Sequence, residues 1–382
     1  MQRSECLFSY YESIPPHNSL KKRRSYILIL LFLFSLFSPL YAVDEKSPLQ
    51  GIVFACGYCI NSAGVEVAGY WNNGTWKSLK NPFGASYYAE ANEIAISSST
   101  VYVCGWCMNQ ENQKINGYWT NGSWTPFSAP YKSSSGKFEI YSFAVTGSNI
   151  YAGGWGYAEN GNWAGLWLNG KWKSLPIPDG FSRATIQSLF ISSSTVYAAA
   201  QCSTNSGDKI EGYWENNKWV TLSPQTNSSK SSIHSISVYG STVYAAGKCD
   251  NNSGYWINGE WNTIGIPPGM DSTWISQVAV AESNVYAIGS CRNKESTFFG
   301  YWLNSVWTPL PDSNSLFKIP KVILHDTSVY LACTYSSGST YAGPGYWVNN
   351  TWVPLRKPFG PQRAVVNDFT LIPESNGLSP SK

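Results

Sequence analysis

From residue 51 onward the chain is built of short apolar runs separated by clusters of Ser, Asn and Gly, and nowhere in this stretch do apolar positions recur at the helical period. The runs come in a fixed order. First is a spaced pattern such as Ile186-x-x-Leu189-x-Ile191 or Ile233-x-x-Ile236-x-Val238. A Val-aromatic run that ends in small residues follows, as in Val101-Tyr102-Val103-Cys104-Gly105, Val243-Tyr244-Ala245-Ala246-Gly247 and Val285-Tyr286-Ala287-Ile288-Gly289. Last comes Gly-aromatic-Trp-x-Asn-Gly-x-Trp. Asn-Gly between strand residues is the strongest short hairpin signal, so this motif predicts two strands and the unit holds four.

The hairpin motif occurs seven times, with Trp pairs at 71/76, 119/124, 167/172, 214/219, 256/261, 302/307 and 347/352, 42 to 48 residues apart. Fourteen of the 18 tryptophans belong to it, and the spacing places each pair directly across the hairpin where side chains approach most closely. Asn216-Asn217, Asn304-Ser305 and Asn349-Asn350 replace Asn-Gly in three copies, and Asn217 and Asn350 are expected to reach the left-handed region. A repeat of this length predicts a repeat architecture.

The two ends of the repeat array differ in phase. The first copy begins at Gly51-Ile52-Val53-Phe54 without a leading run, and Val366-Asn367-Asp368-Phe369-Thr370-Leu371, after the last hairpin, supplies one. A C-terminal strand that completes the N-terminal unit implies a ring, whereas an open solenoid needs caps at both ends. The predicted fold is all-β: a closed seven-bladed β-propeller over residues 50–375, four antiparallel strands per blade, the first completed by the C-terminal strand, with residues 376–382 a disordered tail.

With its leading inner strand, Val-Tyr strand ending in small residues, aromatic third strand and Trp in the fourth, the unit resembles a kelch-type propeller blade. Ala-Gly or Ala-Ala stands at most Gly-pair positions, and the doubled Trp hairpin lies outside the kelch pattern. The resemblance implies an interaction platform, with oxidase chemistry in a minority of such propellers.

Lys21-Lys22-Arg23-Arg24, the apolar stretch from Tyr26 to Phe37 and Pro39-Leu40-Tyr41-Ala42 follow the order of a secretory signal peptide, so residues 1–42 are read as a leader and the protein as periplasmic or extracellular. The apolar stretch is short for a membrane span; the long segment Met1–Leu20 ahead of it keeps an uncleaved anchor as the alternative. Cleavage after Ala42 removes five Lys/Arg and two Asp/Glu and leaves 21 of each sign. A formal charge of zero without a basic stripe argues against nucleic acid, and against a membrane as partner of the mature domain.

Eight cysteines follow the leader. Cys59, Cys107, Cys202, Cys249 and Cys291 occupy one repeat position, and equivalent positions in blades about 10 Å apart exceed disulfide reach, so packed thiols are expected. Cys56-x-x-Cys59 and Cys104-x-x-Cys107 have redox and zinc spacing, but positions three apart on a strand face opposite ways.

No nucleophile, metal or phosphate motif stands out, and no cofactor is implied. Candidate binding residues are sought where the repeat breaks on the face carrying the inter-blade and second-to-third-strand loops. Tyr58, Trp106 and Trp155 stand where later blades have Gln201, Lys248, Ser290 and Thr334, and Trp163 and Trp274 fall near loops of the same face. Flat aromatics beside amides suit stacking on sugar rings, and packing between blades is the competing role. At the top of the inner strands stand Glu93, Tyr141, Gln187, His234, Gln277, Lys321 and Asp368, which would give the ring an asymmetric pocket; solvated channel lining is the competing role. The expected function is non-enzymatic binding of a neutral glycan or protein ligand. An oxidase or glycan-cleaving propeller enzyme and a surface adhesin are the alternatives.

Overall fold

All seven Trp hairpins form in the computed structural model, which describes residues 51–130, 137–158, 161–311, 316–325, 328–337, 340–349 and 351–373. The leader and the tail after residue 373 lie outside the described residues. The first turn asparagine has φ between 43° and 56° in every hairpin, and Gly74, Gly122, Gly170, Gly259 and Ser305 follow it with positive φ. Asn217 does not, so in the fourth turn only the first residue has positive φ. Asn350 lies outside the described residues.

The asparagine is chosen by more than its φ. Asn121, Asn169, Asn216, Asn258, Asn304 and Asn349 each accept, through Oδ1, the amide of the first apolar residue of the second strand (Val101, Ile150, Val196, Val243, Val285 and Val329) at 2.8–3.0 Å. The turn is thereby tied to the body of its own blade.

The paired tryptophans sit opposite each other in every hairpin, ring centroids 4.3–5.5 Å apart. The glycine two residues before the first Trp makes room for the second: a Cβ on Gly69 would lie 2.3 Å from the Trp76 ring. The first Trp is buried, and in blades one to five its indole N–H reaches the linker leaving the preceding blade. Trp119 donates to Lys80 O, Trp167 to Ser128 O, Trp214 to Pro176 O, Trp256 to Ser223 O and Trp71 to Arg356 O. One residue type therefore fills the core and links blades.

The described residues form seven antiparallel sheets and no helix. The innermost strands are Ala364–Pro373, Ala89–Ser97, Lys137–Thr146, Arg183–Ser192, Ser231–Tyr239, Ser272–Ala281 and Leu316–His325 for blades one to seven. Ala364–Pro373 pairs with Gly51–Ile60, which closes the ring inside blade one. Blade three carries an extra strand, Gly161–Trp163, on its second strand.

Seven buried apolar clusters occupy the seven seams between neighbouring blades. All eight described cysteines are free, buried and part of this packing. Cys56 joins the seam with blade two and Cys59 the seam with blade seven, so the Cys-x-x-Cys pair points to opposite faces of its sheet. Burial pushes these thiols up, away from thiolate chemistry.

Candidate functional site at the channel mouth

Every innermost strand borders the channel as a sheet edge, so its channel-side amides lack a strand partner. The repeat answers this with a β-bulge. Pairing between first and second strands slips by one residue at Asn367, Asn92, Tyr141, Gln187, His234 and Ser276 in blades one to six, and a wider irregularity falls between Lys318 and Lys321 in blade seven. A bulge re-aims the side chains on either side of it.

The residue after the bulge caps the next blade. The amide of Ile94 donates to Asp368 Oδ2 at 2.9 Å, Phe143 to Glu93 Oε2 at 2.9 Å and Leu189 to Ser142 Oγ at 2.9 Å. Ile236 donates to Ser188 Oγ at 3.3 Å, Val278 to Ser235 Oγ at 3.0 Å and Val322 to Gln277 Oε1 at 2.9 Å. Six steps of the ring thus follow one rule. At the seventh the residue is Lys321, which has no acceptor, and its ammonium pairs with the Asp368 carboxylate at 3.1 Å. Burial works against the Lys321 charge, but the nearby Asp368 and Glu93 carboxylates outweigh it and hold its pKa above the ordinary lysine value. Burial pushes the Asp368 carboxyl up, partly offset by Lys321 and by the Ile94 amide.

The bulge residues open instead onto the channel, where a cavity of about 730 Å³ is lined by all seven residues of the predicted polar set: Glu93, Tyr141, Gln187, His234, Gln277, Lys321 and Asp368. The set divides physically. Glu93, Gln277, Lys321 and Asp368 belong to the capping ring, and Tyr141, Gln187 and His234 are bulge residues. Asn92, Ser276 and Asn367 complete the bulge set, and the sequence reading passed over them because a one-residue slip leaves no mark on an alternating pattern.

Two of the predicted aromatics join this mouth. Trp274 stacks on the His234 imidazole, centroids 4.2 Å apart, and is 46% exposed. Trp155 donates from its indole N–H to Tyr141 Oη at 2.7 Å, and the Tyr141 ring is 45% exposed. His234 is itself held on both sides, with Nδ1 2.6 Å from Ile275 O and Nε2 3.0 Å from Ser232 Oγ. The backbone carbonyl requires the proton on Nδ1, which leaves Nε2 to accept from the serine. Burial lowers the pKa of His234, so it is neutral at neutral pH.

The other three aromatics sit elsewhere. Tyr58 is 7% exposed, with the Arg363 guanidinium 5.9 Å above its ring. Trp106 lies under the Lys114 ammonium, which pairs with Glu139. Trp163 lies in the extra strand of blade three, and its side chain is outside the described residues.

Glu211 escaped the sequence reading altogether. It sits in the third strand of blade four, 2% exposed, accepting Gln201 Nε2 at 2.6 Å and the Ile233 amide of blade five at 3.2 Å. Burial raises its pKa to about 7, against those two hydrogen bonds. A charged residue where other blades have Ala68, Asn116, Ala164 and Ser253 was the available signal. Among the described residues no group of three or more His, Cys, Asp and Glu is placed to hold a metal, and no helix is long and apolar enough to cross a membrane.

No family model matches the chain, and no curated protein does. Among solved structures it is similar to YCF48 bound to a D1 peptide, at 12% identity over 77% of this chain and 95% of that one, with a TM-score of 0.45. A puromycin hydrolase is similar at 9% identity and TM-score 0.46 over 81% of this chain, which spans 53% of the hydrolase. The SapL1 lectin in complex with alpha methyl fucoside is similar at 13% identity and TM-score 0.35, over 68% of this chain and 95% of the lectin. The propeller architecture rests on the strand pairing above, and these likenesses add no functional argument.

Proposed function

We propose that the protein is an exported, non-catalytic binding scaffold whose channel mouth takes a neutral glycan. The observation that carries this reading is the pair of open aromatic faces, Trp274 backed by His234 and Tyr141 held by Trp155, beside the amide and hydroxyl side chains of one cavity. A pyranose ring presents an apolar C–H face and a rim of hydroxyls, and this lining offers the complement to both. The basic, apolar and small-residue order of the first 42 residues supports export.

Catalysis is disfavoured by the work the titratable groups already do. Glu93 and Asp368 cap amides of neighbouring strands, Lys321 is paired with Asp368, and both nitrogens of His234 are engaged. A general acid or base needs its proton-transfer atom open to substrate.

The test is a glycan array probed with the chain from residue 43 onward and its Trp274→Ala and Tyr141→Ala variants. Retention of specific glycans by the parent, lost in both variants while thermal unfolding is unchanged, supports the reading. Absence of any specific glycan, or retention unaffected by both substitutions, removes it.

A further inference from the structure

Four of the seven hairpins turn on Asn-Gly, at Asn73-Gly74, Asn121-Gly122, Asn169-Gly170 and Asn258-Gly259. All four asparagines are exposed, all have positive φ, and each donates its main-chain amide to a carbonyl of the second strand of its blade. What else fastens the turn differs from one to the next.

Asn169 is held most tightly. Its Oδ1 accepts the Ile150 amide, its Nδ2 donates to Asn149 Oδ1, and the Gly170 carbonyl accepts the Ser128 amide of the preceding linker at 2.8 Å. Asn258 has two such ties, from its Oδ1 to the Val243 amide and from Gly259 O to the Ser223 amide at 3.1 Å. Asn121 keeps only the side-chain tie, to Val101. Among the described residues, neither the Asn73 side chain nor the Gly74 carbonyl has any of them. Val53 stands where Val101 and Ile150 stand in their blades, but the first two strands of blade one come from opposite ends of the chain and no turn joins them.

An asparagine followed by glycine carries its own reagent. When the turn opens locally, the glycine nitrogen, with no Cβ beside it, attacks the asparagine Cγ. The new N–C bond closes a succinimide ring, and the side-chain nitrogen leaves as ammonia, taking the proton of the glycine N–H. Water then opens the ring at either carbonyl, giving aspartate or isoaspartate. In sum, one water is consumed, one ammonia is released and NH2 is replaced by OH. Because the attack is intramolecular, its rate follows the fraction of time the side chain reaches the nitrogen.

We propose that Asn73 is a self-modification site, converted to aspartate and isoaspartate ahead of the other three asparagines because its turn has the fewest bonds to break. Either product places a negative charge beside the Trp hairpin of blade one, and isoaspartate lengthens the main chain inside a two-residue turn. The site is independent of any ligand at the channel mouth.

The experiment ages the folded protein in mildly alkaline buffer made with water enriched in heavy oxygen, then follows the four Asn-Gly peptides of a digest by mass spectrometry. Incorporated label reports ring opening by water, and chromatography separates isoaspartate from aspartate. One hydrogen bond of ordinary strength lowers the reactive population about fivefold. Asn73 is therefore expected to convert about fivefold faster than Asn121, and faster again than Asn169 and Asn258. The same chain unfolded in guanidinium chloride should show four nearly equal rates, since the bonds that rank the turns are gone. Asn73 converting no faster than Asn121 in the folded protein, or the same order persisting in denaturant, would overturn the proposal.

Discussion

The indole N–H of Trp71 donates to the carbonyl oxygen of Arg356 at 2.7 Å, joining residues 285 apart in the chain. This bond repeats, at the seam where the ring closes, the contact that the first Trp of blades two to five makes with the linker before it. The closing seam thus uses the same device as the others. Its buried cluster mixes Tyr330 of blade seven with Trp71 and Phe369 of blade one, so closure by the last strand is a packing event as well as a pairing one.

Replacing Trp71 by Phe keeps most of the apolar volume and strands the Arg356 carbonyl. The bond is only part-buried and Arg356 is exposed, so its loss costs about 0.5–1.5 kcal/mol. Trp302 is the internal control, since its Nε1 is buried with no hydrogen-bond partner. Trp71→Phe is therefore expected to lower the urea midpoint more than Trp302→Phe. Equal shifts would mean the bond adds nothing beyond packing.

The turn asparagines permit a similar comparison. In Asn169→Gly the positive φ is retained at no steric cost, so what disappears is the Oδ1 acceptor for the Ile150 amide, worth about 1 kcal/mol, together with the Nδ2 donor to Asn149 Oδ1. The Asn73 turn has the same main-chain bond as the others, to Val53 O, and among the described residues no side-chain hydrogen bond of Asn73 accompanies it. Asn73→Gly should be close to neutral in chemical denaturation, and Asn169→Gly should not.

Glu211 makes stability depend on pH with a definite sign. Its folded pKa of about 7 lies above the ordinary 4.5 of an exposed glutamate, so between those values the folded state binds more protons than the unfolded. Stability from this group is present below about pH 4.5 and is lost as pH rises to 7 and beyond, a change on the order of 3 kcal/mol at most. Glu211→Gln, which cannot ionise, should flatten that part of the profile in denaturant titrations at pH 5 and pH 8. A variant whose stability falls as steeply as the parent's would place the titration elsewhere.

At the channel mouth the aromatics should differ in consequence. Trp274 offers an open face, whereas Trp106 already has the Lys114 ammonium over its ring. Loss of one ring-stacking contact is worth about 0.5–1.5 kcal/mol beyond the area it buries. Trp274→Ala is therefore expected to weaken glycan retention roughly tenfold or more, and Trp106→Ala to leave it near the parent value. The reverse order, read by titration calorimetry with the best array ligand, would move the site to blade two.

The seven repeats, the Trp hairpins and the closing strand near Phe369 were legible in the residues, because each depends on rules that act within a few positions: period-two patterning, left-handed Asn at a turn, a cross-strand pair beside it. Placing Glu93, Gln277 and Asp368 at the inner strands was also within reach. Their role was not. Whether a polar side chain there caps a neighbour's amide or opens onto the cavity depends on one extra residue in the bulge, and a one-residue slip inverts the facing without changing the composition. The partners that decide it are distant in the chain, as Ile94 is from Asp368, 274 residues away. For the same reason Tyr58 and Trp274 read alike as loop-face aromatics, and only the packed ring made one a buried side chain and the other an open face. Local chemistry fixed the strands and turns of each blade; the division between structural and ligand-facing groups arose when seven sheet edges had to satisfy their amides around one channel.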